Sequence, residues 1–404
     1  MGITKIILMK GGVETLDYFS KQMGDYYESK GLAVFYFDLK NTADSVKHVK
    51  RFLKTGETIL VTFNFEGLER EDDLFTLREG YLWNQYRIPI YNIAADHPYF
   101  YDNRFRDLRE DEADHPGLLD LYHHLSIDRN HREYLRIYYP EFADGGFLPL
   151  AGTNPFPGQP LKPMADRSID LVFTGNYTVP SRLESNINWI NEEYATFYTQ
   201  IIDDVLSHPD RTIDEIEVEH CEEEMGYNPP EDLAPALHKM MFIDLYARNY
   251  YRGRVVASLV NAGFAVTVIG RGWEDLEVKS PNRLTILPQT DSLSCLQAIR
   301  DAKVSLNVMP WFKDGSHDRV WNSLLNGAVC LSDPSLYQQE VLPEGCGIRY
   351  YSLQDSRQLI EKLTELLSNV SLLQQLSDEG RPIAEADHTW AKRAETILAF
   401  SEGK

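Results

Sequence analysis

Cysteine is scarce in this chain: Cys221, Cys295, Cys330 and Cys346 are the only four in 404 residues. They form no CxxC pair and each lies in apolar or mixed sequence. That spacing excludes a zinc ribbon or a disulfide framework and suits buried thiols in a reducing compartment. Long apolar runs are missing as well, none approaching the roughly 18 residues of a membrane span. The opening MGITKIILMKGG is too short for a signal h-region, and it lacks the Ser or Thr of a myristoylation site. A cytoplasmic protein is expected. Asp-x-Asp occurs nowhere, and the pairs Asp72-Asp73 and Asp203-Asp204 fall in helical, solvated contexts. A carboxylate clamp for a divalent metal is therefore not expected. Positive charge is also in deficit: 40 Lys and Arg face 62 Asp and Glu, a net charge of −22. Such a surface repels phosphate backbones and anionic lipid, so neither nucleic acid nor membrane is an expected partner. An anionic small ligand would need local basic groups or a helix N-terminus.

What is present is ordinary globular composition on a chain long enough for two cores. Lys5 to Met9, Leu32 to Asp38, Thr58 to Phe63 and Ile88 to Ala94 are short, continuously apolar runs. Helical stretches from Val13 to Ser29 and from Thr42 to Leu53 separate them, with Leu125 to Ile127 and Gly146 to Leu150 as candidate edge strands. Buried strands alternating with helices predict a parallel sheet covered on both faces. Residues 151–167 carry four prolines and read as an interdomain linker. The pattern then restarts with Ile169 to Thr174, Ala265 to Ile269, Leu284 to Leu287, Val304 to Val308 and Val329 to Leu331. The expected division is an N-terminal domain over 1–160, a C-terminal domain over 161–385, and a terminal helix over 386–404 packing back on the first domain. A helical, strongly acidic insertion spans about 181–240, with Trp189, Ile190, Tyr194, Phe197 and Ile201 roughly one turn apart and the run Glu215 to Glu224. It reads best as a solvated cover over the second sheet, with contact to an acceptor as the alternative.

The most informative stretch is Asp314 to Pro334, DGSHDRVWNSLLNGAVCLSDP. A Gly/Ser/Asp loop opens a helix near His317, capped by Ser316 or Asp318, and Gly327 ends it in the left-handed region. Exposed N–H groups, the helix dipole and the Arg319 guanidinium make its N-terminus a candidate phosphate site.

From Leu284 to Pro334 the chain resembles the C-terminal domain of GT-B glycosyltransferases, in particular the group-1 branch that includes the spore-maturation CgeB-like proteins. The resemblance is carried by Asp301 to Pro310, Arg319, Leu325-Asn326-Gly327-Ala328 and Asp333. Val268 to Trp273 upstream and the closing His388-Thr389-Trp390-Ala391-Lys392-Arg393 extend it. It implies two Rossmann-like domains facing across a cleft and a nucleoside-diphosphate sugar, UDP-linked or similar, as donor substrate with no further cofactor. It also implies retention at the anomeric carbon. Where related enzymes carry two glutamates, this chain has Asp314, which would face the sugar, and Asn322, which would bond the ribose without a carboxylate's charge. Gly175 and Asn176, followed by Arg182, match the loop over the diphosphate. Gly270-Arg271-Gly272-Trp273 matches a strand-end loop on which a base could stack. The candidate donor site is therefore Gly175, Asn176, Arg182, Gly270, Gly272, Trp273, Ser316, His317, Arg319 and Asn322.

In the first domain Gly11-Gly12, Asn64 and Asp96-His97 stand at strand ends, where a parallel sheet faces its ligand. Asp96 and His97, in a His-Pro context that resembles the CgeB-like branch, are expected beside the substrates together with Asp314. The reading is a metal-independent transferase acting on a carbohydrate, protein or small-molecule acceptor. The alternatives are a non-catalytic binding or coat protein, favoured by the glutamate lost at Asn322, and a nucleotide-sugar epimerase.

Overall fold

The structure, a computed structural model, describes residues 2–143, 145–188 and 191–403. It divides into two compact units, Met1–Leu150 with Thr389–Lys404, and Ala151–His388. The first holds a parallel sheet of β1 (Lys5–Lys10), β2 (Ala33–Asp38), β3 (Thr58–Phe63), β4 (Ile90–Ala94) and β5 (Tyr122–Ser126), in the spatial order β2-β1-β3-β4-β5. β3 is central, and all six of its residues are buried, which is why it reads as an unbroken apolar run. The segment at Gly146 to Leu150 contributes a single bridge, Ser126 to Phe147, rather than a strand. Helix Glu14–Ser29 buries Leu16, Phe19, Met23 and Tyr27, a one-face stripe at helical spacing. The last helix, Trp390–Ser401, belongs to this unit. Trp390 stacks on Phe19 at 4.2 Å and meets Phe63 edge-on at 5.6 Å, while Arg393 donates to the carbonyls of Pro149 and Leu150.

The second unit is built on a parallel sheet of β6 (Ile169–Thr174), β7 (Val266–Ile269), β8 (Leu284–Leu287), β9 (Ala302–Asn307), β10 (Val329–Ser332) and β11 (Ile348–Tyr350). The spatial order is β8-β7-β6-β9-β10-β11. The chain fills one side of β6 first and then returns to fill the other. The gap between the carboxyl ends of β6 and β9 is thus the switch point at which open α/β sheets bind ligands.

Between β6 and β7 lie the helices Glu192–Ser207, Ile213–Met225 and Pro230–Asn261. Of the apolar series expected there, Trp189 and Ile190 lie outside the described residues. Ile201 is buried, Phe197 half-buried and Tyr194 exposed. Tyr198 meets Phe242 of the long helix edge-on at 5.2 Å, so the insertion packs on that helix. Its acidic run is solvated except at Glu217, whose carboxyl is fully buried and pushed well above the usual carboxylate range by desolvation. The Pro-rich stretch expected to be a linker is instead strapped to the second unit. Arg300 donates to the carbonyls of Gln159 (3.1 Å) and Pro160 (2.8 Å), and Thr153 is clamped from both ends. Prolines lack a donor, so the carbonyls of this stretch carry its attachment. Among the described residues no helix is long and apolar enough to cross a membrane.

Candidate functional site

Three loops meet at the switch point of the second sheet. The first, Gly175 to Tyr177, follows β6. The second, Gly270 to Trp273, follows β7. Gly175 N–H donates to the Ile269 carbonyl and Tyr177 N–H to that of Arg271, both at 2.9 Å, while the Asn176 carboxamide oxygen accepts from Arg271 N–H at 2.9 Å. Gly270 and Gly272 have φ of +155° and +83°, and a Cβ on them would lie 2.3 Å from the Gly175 carbonyl oxygen and 2.0 Å from that of Tyr177. Only glycine permits this interlock.

Trp273 is the clamp beneath it. Its ring is fully buried and stacked on Tyr177 at 5.0 Å, and its indole N–H donates to the Gly175 carbonyl at 2.8 Å. Of the loop on which a base was expected to stack, Trp273 itself is not available: both the ring and its polar handle are committed to the core. The exposed Arg182 guanidinium pairs with Asp275 at 2.8 Å.

The third loop runs from β9 to the helix Asp318–Leu325 and supplies the charge. His317, rather than Ser316 or Asp318, occupies the N-cap, with its Nδ1 3.2 Å from the Arg319 amide. An imidazole in extended backbone reaches forward over the first turn as a shorter cap would. Arg319 is buried, its guanidinium 5.0 Å from the Phe173 ring centroid and its Nη2 2.9 Å from His317 Nε2. A guanidinium N–H can only donate, so Nε2 accepts from Arg319, and Nδ1 also lies 2.5 Å from Asp318 Oδ1. Desolvation and the Arg319 charge push the His317 pKa down to about 4, which keeps the ring neutral. Arg319 Nη1 has no hydrogen-bond partner among the described residues, and neither has the fully buried Ser316 hydroxyl. A buried cation with an unused N–H at a helix N-terminus, three residues from an unused O–H, has the chemistry to receive an anion's oxygen atoms.

Two more cations, unforeseen in the sequence, complete the cluster. Arg248 and Arg252, one turn apart on helix Pro230–Asn261, lie 4.1 and 5.2 Å from the Trp311 ring centroid. Arg252 Nη1 donates to the Asn176 carbonyl at 3.1 Å, joining the first loop to the third. Arg248 is anchored by the buried Asp244. Their signal was the i, i+4 spacing of two arginines in a helix whose apolar residues leave no polar face to hold them. Asp333, at the end of β10, accepts from Met309 N–H at 2.9 Å, and burial raises its pKa to about 6.

Asn322 is corrected outright. Its Nδ2 donates to Asp318 Oδ2 at 2.9 Å and its Oδ1 accepts from Thr153 N–H at 2.8 Å. Both ends of the amide are used to hold the 151–167 strap, with Asn326 one turn on donating to the Thr153 carbonyl at 2.8 Å. Asp314 is half-buried in the third loop. In the first unit Asp96 is half-buried and His97 buried, at the carboxyl end of β4. The backbone at His97 is extended, as Pro98 demands, but its Nδ1 accepts from Tyr99 N–H at 3.2 Å. Its ring packs among Tyr99, His131 and Tyr134 at 3.9–4.7 Å. Among the described residues no group of three or more His, Cys, Asp or Glu could hold a metal ion.

The sequence of residues 252–399 matches the family model described as "Glycosyl transferase-like". No curated protein matches the chain. Several solved structures share its fold over nearly the whole length. Sucrose-phosphate synthase from Thermosynechococcus elongatus is 13% identical, with a TM-score of 0.56 over 99% of this chain and 98% of that one. An alpha-glucosyltransferase in complex with UDP-glucose and DNA containing an abasic site is 12% identical, with a TM-score of 0.54 over 98% and 99%. The T4 phage BGT in complex with UDP and Mn2+ is 12% identical, with a TM-score of 0.53 over 98% and 99%. The fold is that of GT-B glycosyltransferases, two Rossmann-like α/β domains.

Proposed function

We propose that this protein is a glycosyltransferase that moves a sugar from a nucleoside diphosphate, UDP by preference, to a hydroxyl acceptor. The observation that carries this reading is the Arg319 guanidinium, buried at the switch point with Nη1 unpartnered among the described residues beside the unused Ser316 hydroxyl. Departure of the diphosphate is the step in which charge develops. Arg319, Arg252 and the first turn of helix Asp318–Leu325 face it in a site dry enough for that charge to matter. The interlocked glycine loops let the backbone approach the phosphates closely.

No metal takes part in this reading, because the cations of the site are guanidinium groups. The surface charge of −22 disfavours a nucleic-acid acceptor, although one protein of the same fold is bound to DNA. The CgeB-like branch remains the relation its motifs suggest. Retention, which the resemblance implies, requires that no side chain take the acceptor's proton ahead of the departing diphosphate.

The test is turnover of UDP-glucose and other nucleoside-diphosphate sugars, read as released nucleoside diphosphate, with and without EDTA. Release that survives chelation is expected. No release from any donor contradicts the reading, and activity lost to EDTA and restored by manganese contradicts its metal-independent form.

A further inference from the structure

The arginines at the switch point of the second unit are not held alike. Arg248 is anchored by a carboxylate, that of the fully buried Asp244, with Nη2 donating to Oδ2 at 3.1 Å. Arg319 is anchored by an imidazole. Its Nη2 donates to His317 Nε2 at 2.9 Å, and its guanidinium carbon lies 5.0 Å over the Phe173 ring centroid. Among the described residues no carboxylate is hydrogen-bonded to Arg319 or paired with it. The two carboxylates whose charge acts on it are engaged elsewhere. Asp318 lies 2.5 Å from His317 Nδ1 and accepts from Asn322 Nδ2 at 2.9 Å, while Asp333 accepts from Met309 N–H.

The imidazole is itself fixed. His317 stands at the N-cap of helix Asp318–Leu325, with its Nδ1 3.2 Å from the Arg319 amide nitrogen. Trp311 and Phe312 meet its ring edge-on at 6.1 and 5.9 Å. The charged groups acting on it are Arg319 and Asp318 from its own helix and Arg252 from helix Pro230–Asn261. A helix start needs no imidazole. Elsewhere in this unit Asn191, Asp291 and Asn369 cap with short side chains that accept from the main chain. Such side chains stop at the backbone, whereas a ring with a nitrogen at its far end reaches the guanidinium of the second helical residue.

The difference is electrical. A carboxylate there would hold the guanidinium and cancel its charge, but a neutral ring nitrogen holds it and leaves the charge for a ligand. One N–H is spent on His317, and Nη1 is left without a partner on a residue only 5% exposed. We infer that His317 is a positioning residue that aims Arg319 through a neutral acceptor and so keeps its charge for the diphosphate. The inference rests on the transferase reading above and names the group that prepares its anion site. His317 acts through Arg319.

The test follows UDP affinity by calorimetry, with melting temperature, in the full-length protein and its variants His317→Asn, His317→Asp and Arg319→Ala. Asn and Asp are both strong N-caps, so a residue that only starts the helix is replaceable by either. His317→Asn should keep the melting temperature and weaken UDP binding about tenfold, the scale of one lost hydrogen bond. His317→Asp should weaken it at least as much, because it brings a negative charge beside the guanidinium. Added to Arg319→Ala, His317→Asn should change affinity by less than about twofold, since no guanidinium remains to be aimed. Affinity within about twofold of wild type in either folded single variant would make His317 a cap and nothing more. A further loss of about tenfold on the Arg319→Ala background would make it a ligand contact in its own right. Either result overturns the inference and leaves the transferase reading intact. A wild type that binds no UDP overturns both.

Discussion

The carboxyl edges of the two sheets are built in opposite ways. In the second unit the left-handed positions at the switch point are glycines, Gly175, Gly270 and Gly272, and the cations beside them are the guanidinium groups of Arg248, Arg252 and Arg319. In the first unit the edge carries side chains where glycine would be easier. All the non-glycine residues of positive φ among the described residues, Asn64, Phe65, Arg70, Asp73 and Arg87, fall between 64 and 87. The charged groups there include Glu66, Glu69 and Glu71. Glycine serves where one loop's backbone must come close to another's, as at Gly270 and Gly272, while Phe65 is held in its strained backbone by a buried side chain.

That contrast can be broken at several points, in descending size of effect. Trp273→Ala should cost about 3–5 kcal/mol of stability in denaturant unfolding, the scale of a large aromatic removed from a core. A loss under about 1 kcal/mol would mean that the ring is not the clamp of the glycine loops. On the other edge Asn92 Oδ1 accepts from Phe65 N–H at 2.9 Å, and Asn92→Ala should cost about 1–3 kcal/mol by leaving that buried N–H unpaired. A variant as stable as wild type would show that Asn92 does not hold the strained turn. Asn322→Ala should lower stability by about 1–2 kcal/mol through the Thr153 clamp, with UDP affinity unchanged in calorimetry. Weakened UDP binding in a stable protein would return Asn322 to the ribose. The smallest effect is the protonation of His317. Its pKa, near 4, lies below that of free imidazole, so the unfolded chain binds the extra proton first. The residue therefore subtracts stability as pH falls from about 6.5 towards 4. Its ring resonances should not titrate between pH 5.5 and 8, and a midpoint near 6.5 would remove the buried pair with Arg319.

Much of the fold was legible because its strands are buried on both faces and therefore read as apolar runs. Thr58 to Phe63, Ile169 to Thr174 and Leu284 to Leu287 end where the runs end. β11 escaped because three residues with Arg349 in the middle carry no period. At the candidate site, the glycines and Arg319 were legible from residue type, since φ and charge belong to the residue. Trp273 and Asn322 misled for the complementary reason. Each can bind a nucleotide, but whether its polar atoms are already spent depends on Gly175 and Thr153, partners that sequence spacing does not reveal. Arg248 and Arg252 were hidden in a helix buried on most sides.

The central claim is that Arg319 receives the diphosphate, and calorimetric titration of UDP into wild type and Arg319→Ala tests it most directly. The account expects wild type to bind UDP and the variant to lose about 1.5–3 kcal/mol of binding free energy, the scale of a hydrogen bond to a charged group. The fold of the variant should be retained by circular dichroism. Equal affinity in the two folded proteins, or no UDP binding by wild type, would contradict it.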